Sequence, residues 1–100
     1  MQIIETYKVQ ITKLCEQYGV KSLYSFGSVN SEKFSSESDI DLVVDLNSTD
    51  PLEYTENYFD LKFALEKLLQ RQIDLLESKS IRNPFLKKKI DNSKVLVYGR

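Results

Sequence analysis

An α/β (α+β) fold, a small mixed β-sheet with helices packed on one face, is predicted by three features of the sequence. Short runs rich in β-branched, aliphatic or aromatic residues stand at Lys21–Phe26, Asp39–Leu46, Gln72–Glu77 and Lys94–Tyr98. Apolar residues at spacings of three and four mark helical segments before the first run and between the later ones. Strands and helices therefore alternate along the chain, the pattern of a sheet covered by helices.

The first helix is expected from Gln2 to Tyr18, where Ile3, Ile4, Tyr7, Ile11, Leu14, Cys15 and Tyr18 form one apolar stripe ending at Gly19. Cys15 on that stripe reads as a small buried hydrophobe. The strand Lys21–Phe26 stops at Gly27-Ser28, and Val29–Ser38 is a polar, serine-rich loop with a possible helical turn around Asn30–Phe34. Asp39–Leu46, DIDLVVDL, is the most strand-like segment and is expected centrally in the sheet. Ser48-Thr49-Asp50 before Pro51 and Glu53 marks the start of a helix running to Leu69 or Gln70. Tyr54, Tyr58 and Phe59 on that helix read as core residues, not as a platform for a nucleobase. Asn83-Pro84 opens a last short helix before the final strand.

A chain of 100 residues is expected to form one domain spanning residues 1–100. Fourteen basic and fifteen acidic residues leave a formal charge of −1, so no global electrostatic footprint for nucleic acid or membrane exists. With no histidine and one cysteine, Cys/His zinc sites, internal disulfides and catalysis by a histidine base are excluded. No run approaches the ~20 apolar residues of a membrane span, and the expected location is cytoplasmic.

The chemistry concentrates in carboxylates. In a strand, Asp39 and Asp41 project to the same side. At ~5 Å and an effective dielectric of ~20 their repulsion is ~3 kcal/mol, which a bound cation would relieve. Oxygen ligands of this kind suit Mg²⁺, which takes one or two carboxylates together with substrate phosphates. Asp74 is an isolated charge within the apolar run Ile73–Leu76, an expensive position unless it has a partner. Gly27 permits close backbone approach, and Ser28 offers a hydroxyl to a phosphate oxygen. Asp45, Glu56 and Asp60 read as surface acids. Lys87-Lys88-Lys89, with Lys79, Arg82 and Lys94 near it in sequence, reads as a solvated basic face that could also meet a triphosphate, an RNA or an acidic partner.

Gly27-Ser28, a ten-residue spacer, Asp39-Ile40-Asp41 and the later Asp74 resemble the signature of the polymerase-β-like nucleotidyltransferase superfamily. The sequence looks most like its minimal nucleotidyltransferase (MNT) group. The similarity covers Gly19–Asp74 and extends into Ile81–Phe85 and Val95–Tyr98. The resemblance implies that Asp39 and Asp41 hold two Mg²⁺ ions, that Asp74 completes the metal site and accepts the proton of the attacking hydroxyl, and that Gly27 and Ser28 bind the phosphates of ATP. It also implies transfer of AMP to a tyrosine of a HEPN-type toxin, the chain acting as the antitoxin. A homo- or hetero-oligomer is expected. The sequence departs from the MNT pattern at Val29, Asn30, Ser31 and Glu32, where the phosphate-neutralising arginine and a second glycine are missing. Lys33 is the nearest substitute in sequence. Two other functions compete: a degenerate module that neutralises its partner by binding alone, and transfer to a small molecule.

Overall fold

The computed structural model describes residues 2–27 and 38–99. Helices α1 (Gln2–Thr6) and α2 (Lys8–Gln17) lead into strand β1 (Val20–Phe26), and strand β2 (Ile40–Leu46) is followed by the long helix α3 (Pro51–Leu69). Strand β3 (Ile73–Glu77), a 3₁₀ turn at Ser78–Ser80, helix α4 (Pro84–Ser93) and strand β4 (Val95–Gly99) complete the order.

The single helix expected over Gln2–Tyr18 is broken at Tyr7, whose φ of −104° and ψ of 19° leave the helical region. Backbone bonds from Tyr7 N to Ile3 O (3.3 Å) and from Ile11 N to Tyr7 O (2.9 Å) carry the chain through the break. Ile4, Ile11 and Cys15 are all buried on the same side of it, so the apolar period survives the interruption. Helix α3 begins as the sequence indicates: the Asp50 carboxylate accepts from Leu52 N at 3.1 Å and Pro51 occupies the first turn. Asn83 caps α4 in the same manner, accepting from Phe85 N and Leu86 N at 2.9 and 3.3 Å.

The sheet order is β3-β2-β1-β4, so β2 is internal as expected. β1 pairs antiparallel with both β2 and β4, and β2 pairs parallel with β3, the connection running through α3. Ile40, Leu42, Val44 and Leu46 of β2 face the main core with Leu23, Ile73, Leu75 and Val97, covered by Ile4, Ile11 and Cys15 and by Leu61, Leu65 and Leu69. The opposite face carries a second, smaller cluster in which Ile90 of α4 packs on Phe26 and Val43. Helices α1–α3 thus form the layer expected on one face, while α4 lies across the other. Asp41 and Asp45 share that second face with Val43, because alternate residues of a strand point the same way. No helix among the described residues is long and apolar enough to cross a membrane.

Candidate active site

The strand register gathers the predicted acids at one end of the second face. Asp41 lies opposite Phe26 of β1 on one side and opposite Asp74 of β3 on the other. Asp39 stands one residue before β2 begins and is exposed. Asp74 is also exposed, on an edge strand whose open face it occupies. The in-strand charge is therefore hydrated and avoids most of the burial cost that the flanking apolar residues suggest.

Asp41 is half-buried, and its carboxyl is held above the ordinary value of 3.8 by burial first and then by the negative charges of Asp74 and Asp39. The Lys89 ammonium of α4 draws it down. Asp41 and Asp74 face each other as like charges across the register, a repulsion that a bound cation relieves.

Gly27 closes the site from the β1 side. Its φ of +74° is a backbone conformation that side chains disfavour, and a Cβ there would lie 2.6 Å from Asp41 Oδ2. The role found for Gly27 is thus to leave room for the Asp41 carboxylate; sequence reasoning assigned it only a backbone approach to phosphate. Ser28 and Lys33, the other expected nucleotide-binding residues, lie outside the described residues, as does the turn expected around Asn30–Phe34.

The entry to β2 is pinned by residues that the sequence did not single out. Arg71 Nη1 donates to Ser38 O at 3.0 Å, and Ile40 N donates to Gln72 O at 3.1 Å. Glu66 Oε2 accepts from Ile73 N at 3.2 Å. The first two bonds tie the starts of β2 and β3 together and hold Asp39-Ile40-Asp41 level with Asp74, and the third ties β3 to α3.

The donor set is entirely carboxylate oxygen, which fits Mg²⁺ and not a thiolate or imidazole metal. Among the described residues no group of three His, Cys, Asp or Glu side chains is drawn close enough to cage a metal ion alone. Asp41 and Asp74 form the close pair, and Asp39 acts on it through its charge. Two carboxylates completed by phosphate oxygens are the usual Mg²⁺ arrangement in phosphoryl chemistry.

Other candidates resolve into structure. Cys15 is fully buried and its thiol is pushed up to about 12, mainly by burial. Tyr54 and Tyr58 pack against the main core, and the Tyr58 hydroxyl donates to Leu75 O. Phe59 departs from the expected core role: it is 46% exposed and stacks on Phe63, with ring centroids 6.2 Å apart. Asp45 also departs from the expected exposed acid, being only 18% exposed and 3.6 Å from Lys79 Nζ.

The family model described as polymerase beta nucleotidyltransferase matches residues 9–100. The chain belongs to this nucleotidyltransferase family. Two relatives from Methanocaldococcus jannaschii bear names as candidate protein adenylyltransferases. MJ1379 is 38% identical over 84 residues, covering 84% of this chain and 83% of its own length. MJ0126 is 31% identical over 96 residues, covering 96% of this chain and 95% of its own. Among solved structures, one described as a candidate minimal nucleotidyltransferase superposes with a TM-score of 0.76 at 24% identity, covering 94% of this chain and 92% of that one. A chain from the tri-AMPylated Shewanella oneidensis HEPN toxin in complex with MNT antitoxin superposes with a TM-score of 0.67 at 21% identity, covering 97% and 73%. A toxin-antitoxin crystal structure with AMP-PNP gives 0.72 at 23%, covering 93% and 73%. At these identities the solved structures establish the nucleotidyltransferase fold. Within that fold, the acids of this family member stand at the end of the sheet beside the β1–β2 connection.

Proposed function

We propose that this chain is an Mg²⁺-dependent nucleotidyltransferase that moves AMP from ATP to a hydroxyl on a partner protein, and that the partner is a HEPN-type toxin which it neutralises. The observation that carries the reading is the Asp41 carboxylate, held against Asp74 at a β2–β3 register point and given room by Gly27. The naming of relatives as protein adenylyltransferases supports AMP as the transferred group, and the HEPN–MNT complexes among similar structures support the partner. On this reading residues 1–100 act as one nucleotidyltransferase domain, in the cytoplasm where ATP is available.

Asp39, Asp41 and Asp74 would hold the metal together with phosphate oxygens, and Mg²⁺ bound there supplies Lewis acidity toward the phosphate and neutralises charge on the leaving group. Gly27 and Ser28 bind the triphosphate through backbone and hydroxyl donors. Asp74, exposed at the sheet edge, accepts the proton of the incoming hydroxyl at its carboxylate. The acceptor oxygen forms a bond to the α-phosphorus as the bond to the bridging oxygen breaks, and pyrophosphate leaves with that electron pair. No histidine is needed for any step.

A second reading, neutralisation by binding alone, is favoured by the absence of a basic residue at positions 29–32. The two separate in one experiment: the purified chain, ATP labelled at the α-phosphate, Mg²⁺ and a HEPN-type protein encoded beside it. Label on the HEPN protein, lost with Asp39→Asn/Asp41→Asn, supports transfer. Neutralisation by the unlabelled complex, undiminished in the double variant, overturns it in favour of binding.

A further inference from the structure

Gly27-Ser28 is followed in sequence by Val29, Asn30, Ser31 and Glu32, four positions that contribute no positive charge and one negative one. A triphosphate placed beside three aspartates needs cationic help from elsewhere in the fold. Helix α4 is the element positioned to give it. Its one buried residue, Ile90, packs on Phe26 and Val43, which lie respectively opposite Asp41 and two residues beyond it on β2.

Ile90 fixes how the helix is rotated. A cavity of about 60 Å³ under α4 is lined by Ser22, Val43, Ser78, Lys87, Asp91 and Lys94 among others. Ser22 pairs with Asp45, so this cavity marks the end of the strands away from Asp41. Lys87, Asp91 and Lys94 project to one side of Ile90, within about 100° of it around the helix axis. Lys89 lies about 100° to the other side, toward the Asp41 end.

The lysines on the two flanks are also in different chemical states. Lys94 lies 3.4 Å from Asp91 and its ammonium sits 4.6 Å from the centre of the Tyr24 ring. Lys89 is exposed and, among the described residues, has no carboxylate within ion-pairing distance. An uncommitted ammonium on a rigid, capped helix beside a carboxylate pair is placed to meet an anion held by that pair.

We propose that Lys89 binds the triphosphate of the nucleotide, supplying from α4 a positive charge that positions 29–32 do not carry. The inference rests on the nucleotidyltransferase reading of the site and names a substrate-binding residue within it. It also divides the lysine run by function: Lys89 serves the nucleotide, whereas Lys87 and Lys94 line the separate small cavity.

The test is calorimetric titration of the chain with ATP and with AMP in Mg²⁺, comparing the parent with Lys89→Gln, Lys89→Arg, Lys33→Gln and Asp41→Asn. Lys89→Gln is expected to weaken ATP binding about tenfold, as loss of one charged hydrogen bond does, with a smaller effect on AMP and a shallower dependence on salt. Lys89→Arg is expected to keep most of the affinity, and an unchanged melting temperature shows that the exposed substitution spares the fold. ATP affinity unmoved by Lys89→Gln but lost in Asp41→Asn overturns this proposal while leaving the nucleotidyltransferase reading intact. If Lys33→Gln alone is then the damaging lysine change, the loop supplies the charge. No ATP binding by the parent, or binding indifferent to Asp41→Asn, overturns both.

Discussion

Asp41 and Asp74 stand directly opposite each other across the parallel β2–β3 pair, and the charge of Asp74 helps hold the Asp41 carboxyl above its ordinary value. Adjacent strands are only ~4.8 Å apart, so two like charges in register face each other at short range. The fold therefore holds a local repulsion that a proton or a cation relieves, and this sets the first prediction. Asp41→Asn is expected to stabilise the ligand-free protein by about 0.5 kcal/mol at neutral pH. The same change should lower nucleotide transfer at least about a hundredfold. Thermal unfolding and a transfer assay check the two halves. A variant that is both less stable and fully active would contradict the arrangement.

The pH dependence follows with a definite sign. The folded-state value of Asp41 is raised above its ordinary 3.8, so folding favours the protonated carboxyl. Its stabilising contribution is fully present below the unfolded value and is lost as pH rises through the raised folded value. The difference in melting temperature between Asp41→Asn and the parent should therefore shrink as pH falls toward 3.8 and widen above it. Added Mg²⁺ should stabilise the parent more than the variant, and only on the high-pH side. Melting curves across this window, with and without Mg²⁺, give the answer.

The sequence made the framework of this site legible because the signals are local. A strand rich in Ile, Leu and Val announces β2, and the two-residue period alone places Asp41 on the face opposite Ile40 and Leu42. Asp50-Pro51 and Asn83-Pro84 announce two helix starts that the structure reproduces. The break at Tyr7 left no trace because Ile4, Ile11 and Cys15 keep the apolar period across it. The clamp from Arg71 to Ser38 was not legible either. It joins residues 33 apart and exists only once β2 and β3 pair in parallel. The same holds for Lys89, which looks like any lysine in a basic run until Ile90 fixes the rotation of α4.

Cys15 gives a prediction about reactivity. The thiolate is the reactive form, and burial pushes this thiol up to about 12, so at neutral pH almost none is ionised. A thiol-specific disulfide reagent should leave the native protein unmodified and label it only in denaturant. Cys15→Ala should cost about 1 kcal/mol through the small void it leaves, with transfer unaffected. Rapid labelling of the native state would mean that the α2 stripe opens readily.

Gly27 should be intolerant of the smallest side chain for a reason tied to Asp41. At a φ of +74° an alanine costs about 1 kcal/mol, measurable as a lower melting temperature. The greater effect is on function, because a Cβ 2.6 Å from Asp41 Oδ2 forces the carboxylate aside. Gly27→Ala is expected to retain the fold while losing most Mg²⁺-dependent ATP binding. An ordinary stability loss with unchanged ATP affinity would show that the carboxylate can move without consequence.

Arg71 provides the last test, because it holds the backbone immediately before the acids. Its guanidinium fixes Ser38 O at 3.0 Å, immediately before Asp39, and the parallel bond from Ile40 N to Gln72 O completes the tie. Arg71→Ala should cost about 1 kcal/mol of stability, the ordinary worth of such a bond. Freed from that tie, Asp39 would spend less time beside Asp41, so Mg²⁺-dependent ATP binding should weaken and transfer should fall about tenfold. Raising the Mg²⁺ concentration should recover part of the lost activity in Arg71→Ala, since the ligands remain and only their arrangement is loosened. It should recover none in Asp41→Asn, where a ligand itself is gone. Steady-state transfer rates over a Mg²⁺ series for the two variants separate positioning from ligation, and an Arg71→Ala profile identical to the parent's would remove Arg71 from the account of the site.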